Sequence, residues 1–515
     1  MIMFCSVFND VLGPVMRGPS SSHTAGSYHI ALVVRDLLGV EPQKIKISFD
    51  HDGSYGKTYV QQGVDQAFVT GLMGWKQTDE IFTRALNTAG SSGVEIHFEL
   101  TTLSQADHPN YVIMEVAGEE KQQVLVEAKS VGGGTFKIVR VDGAKTLLDG
   151  KSYVTLLTLD KKNEVIARDF IEKNYPQVEV SSFEIDEHRL SLQLSSNLAL
   201  AIDTLSSLEC VDTIRQCKPV YYTQKKEPLF SSAKEMLHYS LDHNLSLGES
   251  VLAFEKNILG LTEEEAIAEM LARYAVMRKS VLDGLDDNKV DMLLLAPMAG
   301  EIMESIKANK VAIGGLHSIA GAAAMAAMHT CNSRGVVCAA PTGGAAGTLP
   351  GVLTALEGGY EISDRRLALM LFAAGGIGLI LAIRATFAAE VAGCQVEIGA
   401  AGAMGAAAVV EFAGGTAEQA CDAAAISFQN TMGSVCDLVQ GMCELPCHTR
   451  NAAAASASFT NADMVMGGYV NHIDLDETID AVYSSGLMLP RELRCTALGG
   501  LALAPAALAL SRDRG

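Results

Sequence analysis

The sequence predicts an α+β fold in three parts: an N-terminal α/β domain over residues 1–148, a small ferredoxin-like module over 149–222 and a C-terminal all-α domain over 229–515. Three observations predict it. A chain of 515 residues exceeds what one ordinary core fills. Up to about residue 290, charged, β-branched and aromatic residues alternate, whereas beyond it Ala, Gly and Met dominate and charges thin out. Between the two lies a run whose periodicity reads β-α-β-β-α-β, the order of a small split sheet covered by helices.

In the first part, residues 44–49, 94–100 and 111–116 have the pattern of strands, and 23–38 follows helical spacing. Gly132-Gly133-Gly134 reads as a tight turn more readily than as a phosphate loop. In the module, 152–160 reads as a strand and 163–175 as a helix. Next come 178–185 and 189–195 as a hairpin around Asp186-Glu187-His188, then 197–208 as a helix and 211–216 as a strand. Modules of this order bind small regulators, and they serve equally as spacers or dimerisation units. Residues 221–228 are polar and connect the module to the last part. There amphipathic helices begin at Ser231, and Thr262 followed by Glu263, Glu264 and Glu265 marks a capped helix start. The later helices, rich in Ala and Gly, suit close contact in a buried bundle.

The net charge of -21 leaves no basic stripe to neutralise a phosphate backbone, so nucleic acid is excluded as an expected partner. Residues 1–15 include Asp10 and lack a basic region leading into an apolar stretch with a small-residue cleavage site, so no export signal is expected and the protein is placed in the cytoplasm. Residues 367–383 carry no charge, but they are marginal in length for a span and contain Gly375, Gly376 and Gly378, which favours a buried core helix over a membrane helix. An odd set of eleven cysteines in a reducing compartment argues against a disulfide framework.

Some of these cysteines cluster with polar residues inside apolar sequence: Gly393-Cys394-Gln-Val-Glu397, Val435-Cys436-Asp437 and Leu445-Pro446-Cys447-His-Thr-Arg450-Asn451. Thiolate ligands beside Gln, Asp and Arg are what a buried cofactor requires. The intervals of 42 and 11 residues match no general zinc or ferredoxin pattern, so spacing alone also allows a coincidence of apolar thiols or a structural zinc. Three thiolates on a 4Fe-4S cluster would leave one iron able to act as a Lewis acid on a hydroxyl and a carboxylate. Cys443 would share a helix face with Cys436 and Cys447, but Pro446 argues against a continuous helix, and Cys443 reads as a core thiol. A second candidate is Gly18-Pro-Ser20-Ser21-Ser22-His23-Thr24-Ala-Gly26, a hydroxyl-rich turn feeding a helix, where N–H groups and serines suit a carboxylate; an ordinary N-cap is the alternative. A third is Ala340-Pro341-Thr342-Gly343-Gly344-Ala345-Ala346-Gly347, whose glycines let backbone approach a ligand and which is no Walker motif.

Taken together, these segments resemble the bacterial iron-sulfur-dependent L-serine dehydratases, in a form with β-type and α-type parts fused in one chain. The likeness also takes in Gly53-Ser-Tyr-Gly-Lys-Thr-Tyr59, Met488-Leu-Pro-Arg-Glu-Leu-Arg494 and Gly499-Gly500-Leu501. It implies a 4Fe-4S cluster on Cys394, Cys436 and Cys447 and an ACT-like identity for the central module. It further implies a base at His23, with substrate contacts at Ser20, Ser21, Ser22, Thr24, Thr342, Gly343, Gly344, Arg450 and Asn451. The expected substrate is L-serine, dehydrated and deaminated to pyruvate and ammonia, and the expected assembly a homodimer or higher homo-oligomer. Two departures bear on this. Gln62 stands where the family commonly has a histidine, and it cannot exchange a proton near neutral pH as imidazole does. The chain's last residues, 511–515, hold no cysteine, and Cys495 reads as too far from the end to replace a terminal one. Another hydroxy-acid dehydratase, such as one acting on 2-(hydroxymethyl)glutarate, and a non-catalytic amino-acid sensor are the rival expectations.

Overall fold

The computed structural model describes residues 5–119 and 122–510, so the observation about residues 511–515 falls outside them. Mixed sheet is followed by a helical C-terminal region, as the α+β reading expects. The described residues divide into two compact units, one of 23–131 and 135–225, the other of 5–22, 132–134 and 226–510.

The first unit holds two sheets. The larger is ordered Glu95–Thr101, Lys44–Asp50, Tyr111–Ala117, Gln123–Gly132, Thr135–Val141, Ala144–Leu148, with Lys44–Asp50 parallel to Glu95–Thr101 and antiparallel to Tyr111–Ala117. Alternation decides its faces: Ile45, Ile47 and Phe49 join Val112, Met114, Val124 and Val126 in a core with helices Gly26–Leu38 and Val64–Leu72, while Lys44, Lys46, Glu95, Glu99 and Glu115 pair charges on the other face.

The smaller sheet runs Val211–Cys217, Tyr153–Asp160, Arg189–Ser196, Glu179–Glu184, all antiparallel. That is the expected split order. Its central strand is covered on both sides: Leu157 and Leu159 pack with Ala167 and Ile171 of helix Glu164–Asn174, while Val154 and Leu156 join the larger sheet's core. The helix expected at 197–208 is reduced to Ile202–Ser206, because the Ser196 hydroxyl bonds both the N–H and the carbonyl of Leu198 and holds that stretch as a loop.

The second unit is helical, with one short antiparallel pair, Val15–Arg17 against Val336–Cys338. Helix Glu263–Gly284 starts with the expected capping box, Thr262 with Glu265. Small residues set the spacing. A β-carbon on Gly284 would lie 1.7 Å from the Ala326 carbonyl oxygen, and one on Gly351 2.6 Å from that of Ala320, so helix Leu316–Asn332 touches both neighbours backbone to backbone. Two stretches are long and apolar enough to cross a membrane, Asp364–Arg384 and Cys394–Ala413, and their most apolar windows are 83% and 78% buried within the protein. Residues 5–22 lie in this unit: the π-helical turn Val7–Val11 seats Val7 at Gly375 and Val11 at Gly378, and the Val7 and Phe8 N–H groups donate to buried Glu255 at 2.9 Å each.

Candidate active site

The three cysteine segments meet in the helical unit, each fixed by a different local device. Gly393 (φ +77°) makes the turn that presents Cys394; a β-carbon there would meet the Ser434 carbonyl oxygen at 2.7 Å. Gln395 ties this turn to the Cys436 loop, accepting from Gly433 N–H at 2.8 Å and donating to the Ala392 carbonyl at 3.0 Å. Cys436 is held on both sides of its own backbone, its N–H donating to Leu493 O and its carbonyl accepting from Cys495 N–H, each at 2.8 Å. Cys447 opens helix Cys447–Met466 directly after Pro446, so the chain from Cys436 to Pro446 is irregular, as the proline implies. The Glu444 carboxylate accepts the N–H groups of Leu293, Leu294 and Leu295 at 2.7, 2.8 and 2.8 Å and anchors that irregular stretch.

The thiols converge. Cys394 Sγ, Cys436 Sγ and a Glu397 carboxylate oxygen all lie within 4.8 Å of one another, and Cys447 is within electrostatic reach of Cys394. Two further thiols belong to the group. Cys443 is buried, as the core thiol the sequence implies, and lies within electrostatic reach of Cys447; Cys495 is buried too, its N–H bonded to the Cys436 carbonyl. The contact with Cys436, then burial, pushes the Cys394 thiol well above its ordinary range; the contact with Cys447, then burial, does the same at Cys443. Such thiols stay neutral until a cation arrives, and thiolate donors are soft, suited to iron-sulfur clusters, zinc or Cu(I), with the Glu397 carboxylate a harder donor beside them.

Around the sulfurs stand the charged and polar groups. Arg450 Nη1 pairs with buried Asp437 at 3.0 Å, donates to Val435 O at 2.8 Å and reaches Cys394 Sγ at 3.9 Å. Asp437 also accepts the Leu501 N–H at 2.8 Å. Asn451 is a connector: its Oδ1 accepts from Gly347 N–H and Thr348 Oγ1, and its Nδ2 donates to the carbonyls of Gly344 and Cys447 at 2.8 and 2.9 Å. It thereby joins the glycine loop to the third cysteine.

That loop meets the serine run. Gly343 N–H donates to Ser21 Oγ at 3.2 Å, and a β-carbon on Gly343 would lie 2.9 Å from Ser21 N. Ser20 Oγ and Ser22 Oγ are 3.2 Å apart, and Ser22 donates to buried Glu390 at 2.6 Å. Glu397 faces Gly344; burial, then the Glu390 charge, lifts its carboxyl to about 8, against the lowering effect of the Thr342 hydroxyl. Thus Ser20, Ser21, Ser22, Thr342, Gly343, Gly344, Arg450, Asn451 and the three cysteines belong to one unit.

His23 and Thr24, next in the chain, belong to the other unit. The His23 ring is buried against Tyr55, its Nε2 3.1 Å from Ser54 Oγ, and Gln62 is buried in the same unit. Sequence reading gave no role to Glu390 or Glu397 and set Cys495 aside. Glu397 stood within the quoted Cys394 motif, and Cys495 directly followed the Met488 to Arg494 run; both signals were present but ambiguous without the fold.

Residues 242–502 match the family profile described as serine dehydratase alpha chain. The chain belongs to that family. It is 35% identical over 277 residues to the probable L-serine dehydratase alpha chain of Bacillus subtilis, covering 54% of this chain and 92% of that one. With the L-serine dehydratase alpha chain of Peptoniphilus asaccharolyticus the identity is 32% over 286 residues, 55% of this chain and 98% of the relative. A further likeness, 37% over 162 residues, is to the probable L-serine dehydratase beta chain of Bacillus subtilis and covers 32% of this chain and 71% of that one. This serine dehydratase family member therefore carries beta-type and alpha-type regions in one polypeptide, and the cysteines, Arg450, Asn451 and the glycine loop all fall within the matched alpha-type span.

Proposed function

We propose that this chain dehydrates L-serine to pyruvate and ammonia, using a 4Fe-4S cluster held by Cys394, Cys436 and Cys447. The observation that carries the proposal is the convergence of those thiols beside the Ser20 to Ser22 run and the Thr342 to Gly344 loop. The names of the relatives above support serine as the substrate. The soft donor set, with an arginine N–H reaching a ligand sulfur, fits an iron-sulfur group. When bound, such a group supplies a Lewis acid that draws off the β-hydroxyl.

The remaining work falls to side chains. Ser20, Ser21, Ser22 and Thr342 hydroxyls, with the Gly343 and Gly344 backbone, bind and orient the substrate carboxylate. Arg450 and Asn451 hold the cysteine turns and the glycine loop in register. His23, which directly follows Ser22 in the chain, is assigned the removal of the α-proton. Loss of that proton and of the β-hydroxyl as water leaves an enamine, which tautomerises and hydrolyses to pyruvate and ammonia. The module over 149–222 is assigned an ACT-like regulatory role on the strength of its strand order.

Protein purified without oxygen should contain iron and sulfide and form pyruvate from L-serine. Cys436→Ala should lose both the brown absorbance and the activity; an iron-free wild type, or a variant with an unchanged cluster, overturns the reading. Gln62, in place of the expected histidine, keeps a second reading in view, dehydration of another hydroxy acid such as 2-(hydroxymethyl)glutarate. A substrate panel on the same preparation distinguishes them: turnover of that acid with none of L-serine selects the second.

A further inference from the structure

We propose that Glu397 reads the α-ammonium group of the substrate, and so makes the site selective for an amino acid over a hydroxy acid or a dicarboxylate. The proposal rests on the serine-dehydration reading above and supplies a contact for the one substrate group left without a partner there.

Position carries it. Glu397 stands at the N-cap of helix Ile398–Ala413, where a carboxylate ordinarily accepts a backbone N–H, yet its side chain makes no capping hydrogen bond. It turns the other way. A β-carbon on Gly344 would lie 3.5 and 3.7 Å from its two carboxylate oxygens, and one carboxylate oxygen is within 4.8 Å of both Cys394 Sγ and Cys436 Sγ. The carboxylate therefore borders both the loop assigned to the substrate carboxylate and the thiols assigned to the group that draws off the hydroxyl. In serine, the ammonium is borne by the carbon that joins those two substrate groups.

Charge points the same way. Asp437 is matched by Arg450 at 3.0 Å, and Glu390 accepts from Ser22 at 2.6 Å. Among the described residues, no Lys, Arg or His lies within ion-pair distance of Glu397. A carboxylate drawn out of water is stabilised by a cation beside it. A substrate ammonium supplies both the charge and N–H donors, and its arrival relieves the burial and the Glu390 charge that hold this carboxyl up. A hydroxy acid brings no positive charge, and 2-(hydroxymethyl)glutarate brings a second negative one. Either leaves Glu397 unmatched, so the same residue that favours serine discriminates against the rival substrates.

The test uses full-length wild type, Glu397→Gln and Glu397→Asp, each loaded with iron and sulfide under anaerobic conditions. The probes are L-alanine and propionate, which differ only in the ammonium and have no β-hydroxyl to lose. Binding is followed by visible circular dichroism of the cluster and by competition against L-serine. Wild type should bind L-alanine about tenfold or more tighter than propionate, the effect of one charge-assisted hydrogen bond. E397Q, with iron content and melting unchanged, should hold the two probes within about threefold of each other and show a KM for L-serine raised about tenfold or more. E397D, which keeps the charge, should retain an intermediate preference. A wild type that binds the two probes equally overturns the proposal, as does an E397Q that keeps the wild-type preference. An E397Q protein that melts normally but takes up less iron also overturns it, since Glu397 then serves the cluster. So does a fall in kcat at unchanged KM and unchanged preference, which marks an acid or base instead. If E397Q fails to fold, E397D and the wild-type comparison decide. An iron-free wild type, or one that turns over no L-serine, removes the functional reading itself, whereas a loaded, serine-active enzyme indifferent to the ammonium removes this inference alone.

Discussion

Replacing Glu444 by alanine should destabilise the helical unit by about 3 to 5 kcal/mol, as three charge-assisted hydrogen bonds are lost and their donors only partly recover water. The reasoning starts from the three donors. Leu294 is buried, so its N–H loses its partner outright, while Leu293 is 41% exposed and regains solvent at lower cost. Leu295 is intermediate. Glu444→Gln keeps one oxygen acceptor but turns an NH2 toward N–H groups, so it should fall between wild type and E444A. Because Glu444 lies between Cys443 and Cys447, E444A should also take up less iron per chain. The assay is urea unfolding followed by helical circular dichroism, beside iron analysis of the same material. An E444A unfolding free energy within about 1 kcal/mol of wild type, at unchanged slope, refutes the claim that this carboxylate organises the loop.

Two other outcomes follow from the packing and from burial. Gly284→Ala should cost about 1 to 3 kcal/mol or more, because the new methyl meets the Ala326 carbonyl at 1.7 Å and the backbone must yield. Gly358→Ala, in the helix Thr348–Gly359 with nothing within 4 Å of its β-carbon, should be neutral or stabilising by up to about 1 kcal/mol; equal thermal shifts for both variants would contradict the close-contact argument. Burial raises the Glu255 carboxyl to about 7, against the lowering pull of the Phe8 and Val7 N–H groups. The folded-state value lies above the unfolded one, so this contribution is fully present below about pH 4.5 and is lost as pH rises through 7. The stability of wild type relative to Glu255→Gln should therefore fall by roughly 3 kcal/mol between pH 4.5 and pH 8, and a constant difference across that range counts against it.

Features set by neighbours in sequence were legible before the structure. The Thr262 capping box and the break at Pro446 each depend on a few adjacent residues, and each is present; the strands of the split sheet were legible from their alternation, although their order is set by pairings far apart in sequence. The helix expected over 197–208 failed for a local reason too: the Ser196 hydroxyl competes for Leu198, and propensity alone does not weigh that competition. What escaped was long-range. Cys495 reaches Cys436 through one backbone bridge, and Glu390 meets Ser22 across 368 positions; neither pairing leaves a periodic trace.

Residues 5–22 lie far upstream in the sequence of packing partners that include Glu255 and helix Asp364–Arg384, so they leave the ribosome well before those partners do. That segment must therefore wait, unsatisfied, until the later helices are made and the bundle can close around it. A gene split at the polar connector would send that peptide away on the upstream product. Co-expressed, the two products would be expected to find each other through it, in the manner of a reporter reconstituted from fragments.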